Sequence, residues 1–130
     1  MSNKIESFRD LNVYKTAFDL QQEIFTLTKR FSKEELYLLT DQIRQAYRTI
    51  GANIAESWQK RRYAASFISK LSDADGEQAE TQHWLDTSLA SEYISSKEHT
   101  ELYKKCKEIG RMLGKMLCEP QKWCARFSDN

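Results

Sequence analysis

The sequence predicts an all-α protein, and three observations support that class. Its 130 residues contain one proline and four glycines, too few for the turns of an all-β fold. Apolar residues recur at alternating spacings of three and four through four long stretches, as in amphipathic helices. The connections between these stretches are short, which favours antiparallel neighbours. We therefore expect one domain over residues 1–130, an antiparallel up-down-up-down four-helix bundle.

The first helix is predicted at about residues 10–31. Its apolar positions form one unbroken row, Val13, Ala17, Leu20, Ile24, Leu27 and Phe31. Ser32 followed by Glu35 has the spacing of a capping box, in which each side chain bonds the other residue's backbone N–H. This pattern ends the first helix after Phe31 and starts the second, which is predicted at about residues 33–59.

The second helix has an unusual middle, because the stretch from Thr49 to Ala55 carries no charge. Its inward row continues through Ile43, Ala46, Ile50 and Asn53. The face opposite this row presents the small side chains of Gly51, Ala52 and Ala55. Small residues allow another helix to approach closely, so we expect this face to be an oligomer interface.

The third and fourth helices are predicted at about residues 63–93 and 96–118, followed by a tail at 119–130. The third helix is apolar at both ends but polar in the middle of its row. We expect its central polar residues to form a buried polar layer with the second helix, comprising Asn53, Glu56, Asp75, Gln78, Glu80 and Gln82. Such a layer either fixes the register of the bundle or lines a pocket for a small ligand.

The charge balance excludes a uniformly basic nucleic-acid binder. Lys and Arg together number 20 and Asp and Glu 19, a formal net charge of +1. Any such binding must come from a local cluster. The one concentration of positive charge identified comprises Arg44, Arg48, Lys60, Arg61 and Arg62. On a monomer this is a solvated face, but repeated around a symmetric oligomer it becomes a multivalent surface for phosphates.

No catalytic constellation is present, so we expect a protein that is not an enzyme and needs no cofactor. Glu80-x-x-His83 is the half-motif of a di-iron bundle. The other histidine, His99, is preceded three residues earlier by Ser96 instead of a glutamate, so no metal site is predicted. The N-terminus lacks an apolar leader, and no stretch approaches the roughly 18 apolar residues of a membrane span. These features predict a cytoplasmic protein with no membrane partner.

The second helix carries a resemblance to a known family. The stretch LTDQIRQAYRTIGANIAES, preceded by Glu35, resembles the four-helix-bundle proteins of intervening sequences in bacterial 23S ribosomal RNA genes. Matching positions are Glu35, Leu39, Gln42, Ile43, Arg44, Ala46, Ile50, Asn53, Ile54, Ala55 and Glu56. Phe8, Leu11 and Val13 are similar to the family's opening, and Ala74, Gly76, Glu80 and Leu85 to its third helix. Gln45, where the family has a second arginine, removes one positive charge.

The resemblance implies a cyclic homo-oligomer, typically a pentamer, with no established activity. A more distant similarity, to accessory subunits of diversity-generating retroelements, implies binding of nucleic acid beside a reverse transcriptase. Two functions follow as expectations. The first is a homo-oligomeric module that binds RNA or DNA through its basic residues. The alternative is an interaction scaffold or accessory subunit that holds a partner protein.

Overall fold

The computed structural model describes residues 4–128, with side chains for residues 4–124. Within that range the regular elements are all helical and there is no strand, which confirms the all-α class. A short 3-10 turn at Phe8–Asp10 precedes the first helix, and a 3-10 turn at Lys33–Glu35 followed by a π-helical turn at Leu36–Thr40 precedes the second. The α-helices are α1 (Asn12–Thr28), α2 (Asp41–Gln59), α3 (Ala64–Ala90), α4 (Ser96–Cys118) and the short α5 (Gln121–Ser128).

Four long helices enclose the core. Helix α2 contacts α1 and α3, and α4 contacts the same two helices. The largest fully buried side chains come from all four, namely Leu20, Ile24, Ile43, Tyr47, Ile50, Ile54, Phe67, Leu71, Leu85, Ile109 and Leu113. Each buried side chain of this size contributes about 1.5–3 kcal/mol to the free energy of unfolding. No helix among the described residues is long and apolar enough to cross a membrane.

The second helical segment begins at Lys33 with Ser32 as its N-cap, as predicted, but residues 33–40 are not α-helical and the predicted capping box does not form. Regular α-helix begins at Asp41, after the two short turns that cover residues 33–40. The Ser32 hydroxyl accepts a hydrogen bond from the Glu34 N–H at 3.2 Å, while the Glu35 carboxylate accepts one from the Tyr93 hydroxyl at 3.1 Å. The long-range bond to Tyr93 occupies the carboxylate on which the predicted capping box depended.

Helix ends are tied to their neighbours by polar side chains. At the end of α1, Thr28 donates to the Phe25 carbonyl at 2.9 Å and accepts from Arg44 Nε at 3.2 Å. Just beyond, Arg30 Nη2 lies 3.0 and 2.9 Å from the two Glu98 carboxylate oxygens. Glu98 also accepts from the Ser95 N–H at 2.9 Å, which completes the capping box of α4. The Ser95 N–H and Arg30 together hold the pKa of Glu98 below its usual range.

The core rows of α1 and α4 lie where their periodicity predicts. Val13, Ala17, Leu20 and Ile24 are buried, as is the α4 row of Leu102, Cys106, Ile109, Leu113 and Met116. Burial raises the pKa of the Cys106 thiol to about 12, as expected for a core cysteine.

In the tail, Trp123 packs edge-on against Trp58 with the ring centroids 6.1 Å apart. The side chain of Phe127, its predicted companion, lies outside the described residues.

Tyr47 is the one fully buried tyrosine among the described side chains, and it is 0% exposed. Its hydroxyl makes no hydrogen bond of acceptable geometry among the described residues, although the guanidinium groups of Arg48 and Arg44 lie near it. Burial raises the pKa of this hydroxyl, although the positive charges of Arg48 and Arg44 oppose the increase. A buried hydroxyl without a partner costs about 1–3 kcal/mol of stability.

The variant Tyr47→Phe is therefore expected to unfold at an equal or higher urea concentration than the parent, with a gain of up to about 2 kcal/mol. The ring keeps its packing while the unpaired hydroxyl is removed. Tyr37→Phe is the matched control, because Tyr37 is 84% exposed. Its free energy of unfolding should stay within about 0.5 kcal/mol of the parent's. A loss above about 1 kcal/mol for Tyr47→Phe would show that the hydroxyl is hydrogen-bonded in solution.

Candidate functional site

The cations predicted at the end of α2 surround its last turn. Arg61 lies with its guanidinium 3.8 Å from the centre of the Trp58 ring and donates to the Trp58 carbonyl at 2.8 Å. Lys60 is exposed and lies 3.6 Å from the Glu56 carboxylate. Arg62 is exposed, beside a Tyr63 ring that is 63% exposed. We call Lys60, Arg61 and Arg62 the α2-end cluster.

The two remaining predicted cations lie apart from this cluster. Arg44 is half-buried, bonded to Thr28 and 5.3 Å from the centre of the Phe25 ring, so it ties α2 to α1. Arg48 is exposed. Lys60 follows Arg48 by 12 residues, about 18 Å along a helix. The five cations therefore form two separate groups.

The small-residue face of α2 is partly covered by the same chain. Gly51 is buried, and a Cβ there would lie 3.6 Å from the Tyr14 ring, in ordinary contact. Ala52 is exposed and Ala55 half-buried. With Phe8, Tyr14, Phe18, Gln21 and Arg48 these residues line a hollow of about 240 Å³ between α1 and α2, which we call the α1–α2 groove.

The predicted buried polar layer is smaller than expected and is centred on α3. Gln78 is 8% exposed. Its amide nitrogen donates to Asp75 Oδ1 at 3.0 Å, and its amide oxygen accepts from Gln82 at 2.7 Å. On α4, Gly110 makes room for this polar ladder, because a Cβ there would lie 3.0 Å from the Gln78 amide nitrogen. These bonds satisfy Gln78 within its own helix, and the ladder meets α4 where Gln78 lies against Gly110.

The other members of the predicted layer lie nearer the surface. Asn53 is half-buried. Glu56 has a side chain that is 40% exposed and lies 3.1 Å from Lys70, and the hydrogen bond from Lys70 lowers its pKa. The prediction for Glu80 is wrong, because Glu80 is exposed on the outer side of α3. There its carboxylate accepts from Trp84 Nε1 at 3.3 Å.

The half-motif Glu80-x-x-His83 lies on the same outer side. His83 is exposed, and its ring meets the Trp84 ring edge-on with the centroids 4.6 Å apart. Within the described part of the chain, no three His, Cys, Asp or Glu side chains are grouped as a metal site requires. Glu80 and His83 therefore have no further metal-coordinating side chain grouped with them among the described residues.

A second set of cations was missed in the sequence. Helix α4 carries five exposed cations, Lys97, Lys104, Lys107, Arg111 and Lys115. The periodicity of the apolar residues does not reveal them, whereas their own recurrence at intervals of three, four and seven residues does. The prediction that Arg44, Arg48, Lys60, Arg61 and Arg62 are the one concentration of positive charge is therefore wrong.

Comparison with known proteins gives a family and a fold. The sequence profile described as "23S rRNA-intervening sequence protein" matches residues 9–115. A solved structure of a protein with unknown function from the S23 ribosomal protein family of Bacteroides thetaiotaomicron VPI-5482 is 28% identical, with a TM-score of 0.74. The match covers 81% of this chain and 94% of that one. Among curated proteins, none matches.

The polar ladder predicts different outcomes for two glycines of α4. Gly114→Ala should raise stability by about 1 kcal/mol, because alanine is the better helix former and no atom lies within 4 Å of the new Cβ. Gly110→Ala should gain less or lose stability, since its Cβ displaces the Gln78 amide. Urea unfolding measures both. If both variants gain the same stability, the Gln78 side chain moves aside at no cost and the polar ladder does not determine how α3 packs on α4.

Proposed function

The chain belongs to the 23S rRNA-intervening sequence protein family, and from that premise we propose that it is a non-enzymatic, homo-oligomeric helical bundle that binds nucleic acid. One observation carries the proposal: the α2-end cluster places exposed cations beside an exposed aromatic ring. Lys60 and Arg62 are exposed, and Tyr63 is 63% exposed. Cations neutralise phosphates while aromatic rings stack on unpaired bases, and proteins that bind single strands combine the two.

The packing of Arg61 supports this role for the cluster. Its guanidinium is held over Trp58, 3.8 Å from the ring centre, so the helix end keeps a fixed positive charge. Lys60 and Arg62, together with Gln59 and Tyr63, line a hollow of about 200 Å³. Arg44 is not proposed as a phosphate contact, because its Nε is bonded to Thr28. Arg48 is exposed and remains a candidate contact.

We propose further that the bundle runs up-down-up-down and assembles into a ring, with five subunits as the family resemblance implies. The α1–α2 groove is the proposed contact between copies. It combines the exposed Ala52 and the half-buried Ala55 with Phe18, which is 44% exposed. A ring would carry one α2-end cluster on each subunit. Weak contacts of the separate clusters with one nucleic acid would then give a higher overall affinity.

A partner protein is the alternative, and the π-helical turn favours it. Leu36, Tyr37 and Leu38 are 44%, 84% and 64% exposed. Three consecutive exposed apolar side chains are unusual on a monomeric surface, and π-helical turns occur often at functional sites. The function would then be an interaction scaffold or the accessory subunit of an enzyme such as a reverse transcriptase.

The double variant Lys60→Gln/Arg62→Gln tests binding by the α2-end cluster. Titration of a labelled single-stranded RNA should show weaker binding than the parent. The slope of log K against log salt should fall by about 1.4, because each lost phosphate contact removes about 0.7. Lys29→Gln/Lys33→Gln has the same net charge, removes two exposed cations elsewhere and should retain the parent slope. Parent protein that does not bind, or an unchanged slope in the first variant, contradicts the proposal.

The substitutions Ala52→Glu and Ala55→Glu test the assembly. A buried, unpaired carboxylate at the contact is expected to separate the copies while each chain keeps its helical circular dichroism. Ala79→Glu is the control, since Ala79 is exposed on α3. Light scattering gives the solution mass. If the parent is monomeric, or if the Ala52 and Ala55 variants keep the parent mass, the groove does not join copies of the chain.

A further inference from the structure

The cations of α4 lie on one side of the helix. Lys97, Lys104, Lys107, Arg111 and Lys115 follow one another at intervals of seven, three, four and four residues, and residues at such intervals share one helix face. All five are exposed. Lys97 and Lys115 are 18 positions apart, which corresponds to about 27 Å along the helix axis. We call these residues the α4 cation row.

The α4 cation row is not neutralised within the chain. Among the described side chains, none of the five forms an ion pair, whereas their neighbour Lys105 pairs with Glu23 on α1. Two exposed carboxylates, Glu101 and Glu108, lie beside the row on the same helix. Five cations against two carboxylates leave this face with a formal charge of +3.

An aromatic pair flanks the row. Tyr103 is 36% exposed, and its ring centre lies 5.6 Å from the Lys107 ammonium. The ring is stacked on that of His99, with the planes 12° apart and the centroids separated by 6.0 Å. His99 is itself held by Asp86 of α3 at 2.7 Å. The row therefore has an oriented aromatic ring at its edge.

We propose that the α4 cation row is the track along which the protein holds a single strand of nucleic acid. Lys104, Lys107, Arg111 and Lys115 meet successive phosphates, and Tyr103 meets an unpaired base. The inference rests on the proposed function and deepens it by naming the main contact surface. Intervals of three and four residues place neighbouring cations about 4.5–6 Å apart along the helix axis. This spacing exceeds the roughly 3.4 Å per phosphate of a duplex strand and therefore suits an extended single strand.

Other polyanions fit this surface less well. A helix that lies on a membrane places apolar residues against the lipid, whereas the apolar row of α4 is buried in the core. A second copy would have to supply a long acidic stripe. Of the exposed carboxylates of α3, Asp86 is bonded to His99. Asp73, which lies 3.9 Å from Lys70, and Glu80 stand on either side of the half-buried Glu77. This acidic stripe spans only about 10 Å.

The experiment compares variants of the full-length chain. Lys104→Gln/Lys107→Gln/Arg111→Gln removes the centre of the row, and Lys15→Gln/Lys29→Gln/Lys33→Gln removes three exposed cations elsewhere. Each is titrated with a labelled single-stranded RNA, with the duplex of the same sequence and with phosphatidylserine vesicles. For the single strand, the row variant should bind at least about tenfold more weakly, with a salt slope lower by about 2. The control variant should match the parent.

The outcomes separate this inference from the proposed function. If the row variant binds the single strand like the parent while Lys60→Gln/Arg62→Gln binds it more weakly, the inference is wrong and the function stands. If the parent binds no nucleic acid, both fail. The inference is also overturned if the duplex is preferred, if the row variant loses vesicle binding alone, or if its solution mass changes. Tyr103→Leu should weaken binding of the single strand only, and an unchanged affinity would exclude the base contact.

Discussion

The structure depends on the position of α2 between two neighbours. Helix α2 contacts both α1 and α3, and Ile43, Tyr47, Ile50 and Ile54 are all 0% exposed. Gly51 is buried beside the Tyr14 ring of α1, 3.6 Å from the position that a Cβ would take. A helix enclosed in this way leaves only the side of Ala52 and Ala55 open along its middle, where the α1–α2 groove lies. Its two ends remain available, with the exposed apolar π-helical turn at one and the α2-end cluster at the other.

Polar and charged side chains divide into those that hold the bundle together and those that face outward. Arg44 and Arg30 reach across to neighbouring elements, at Thr28 and Glu98. The guanidinium of Arg61 is packed on Trp58. Arg44 and Arg30 therefore add positive charge to the sequence while their side chains hold the bundle together. The exposed cations of the α2-end cluster and of the α4 cation row face outward, with Lys60 beside Glu56 of its own helix, and the proposed function rests on them.

The sequence predicted the core well, because burial repeats with the helix period. The rows of α1 and α4 needed no information beyond spacing. The absence of the Ser32 capping box could not be predicted, since the Glu35 carboxylate bonds Tyr93, 58 residues away. Glu80 was predicted to point inward because it lies in the polar middle of the third helix. The structure shows it exposed, because successive polar residues of a helix point in different directions. Hydrogen bonds between distant residues, and the direction in which each polar side chain points, are decided only when the helices pack together.

The balance of charge also concealed the cations of α4. Helix α3 carries five carboxylates and one lysine, while α4 carries six cations and three carboxylates. The net charges of the two helices nearly cancel, and the formal net charge of the chain is only +1. Summing charge along a sequence therefore hides an asymmetry that appears once each helix is oriented. A basic face does not require a basic protein.

The central claim is that outward-facing lysines contact nucleic acid while the bundle itself stays unchanged. Chemical labelling of lysines, read by mass spectrometry with and without bound single-stranded RNA, tests this claim most directly. The account predicts that Lys60, Lys104, Lys107 and Lys115 are protected by the RNA, and that the equally exposed Lys15, Lys29 and Lys33 remain reactive. Equal labelling of all seven lysines in the presence and absence of RNA would contradict it.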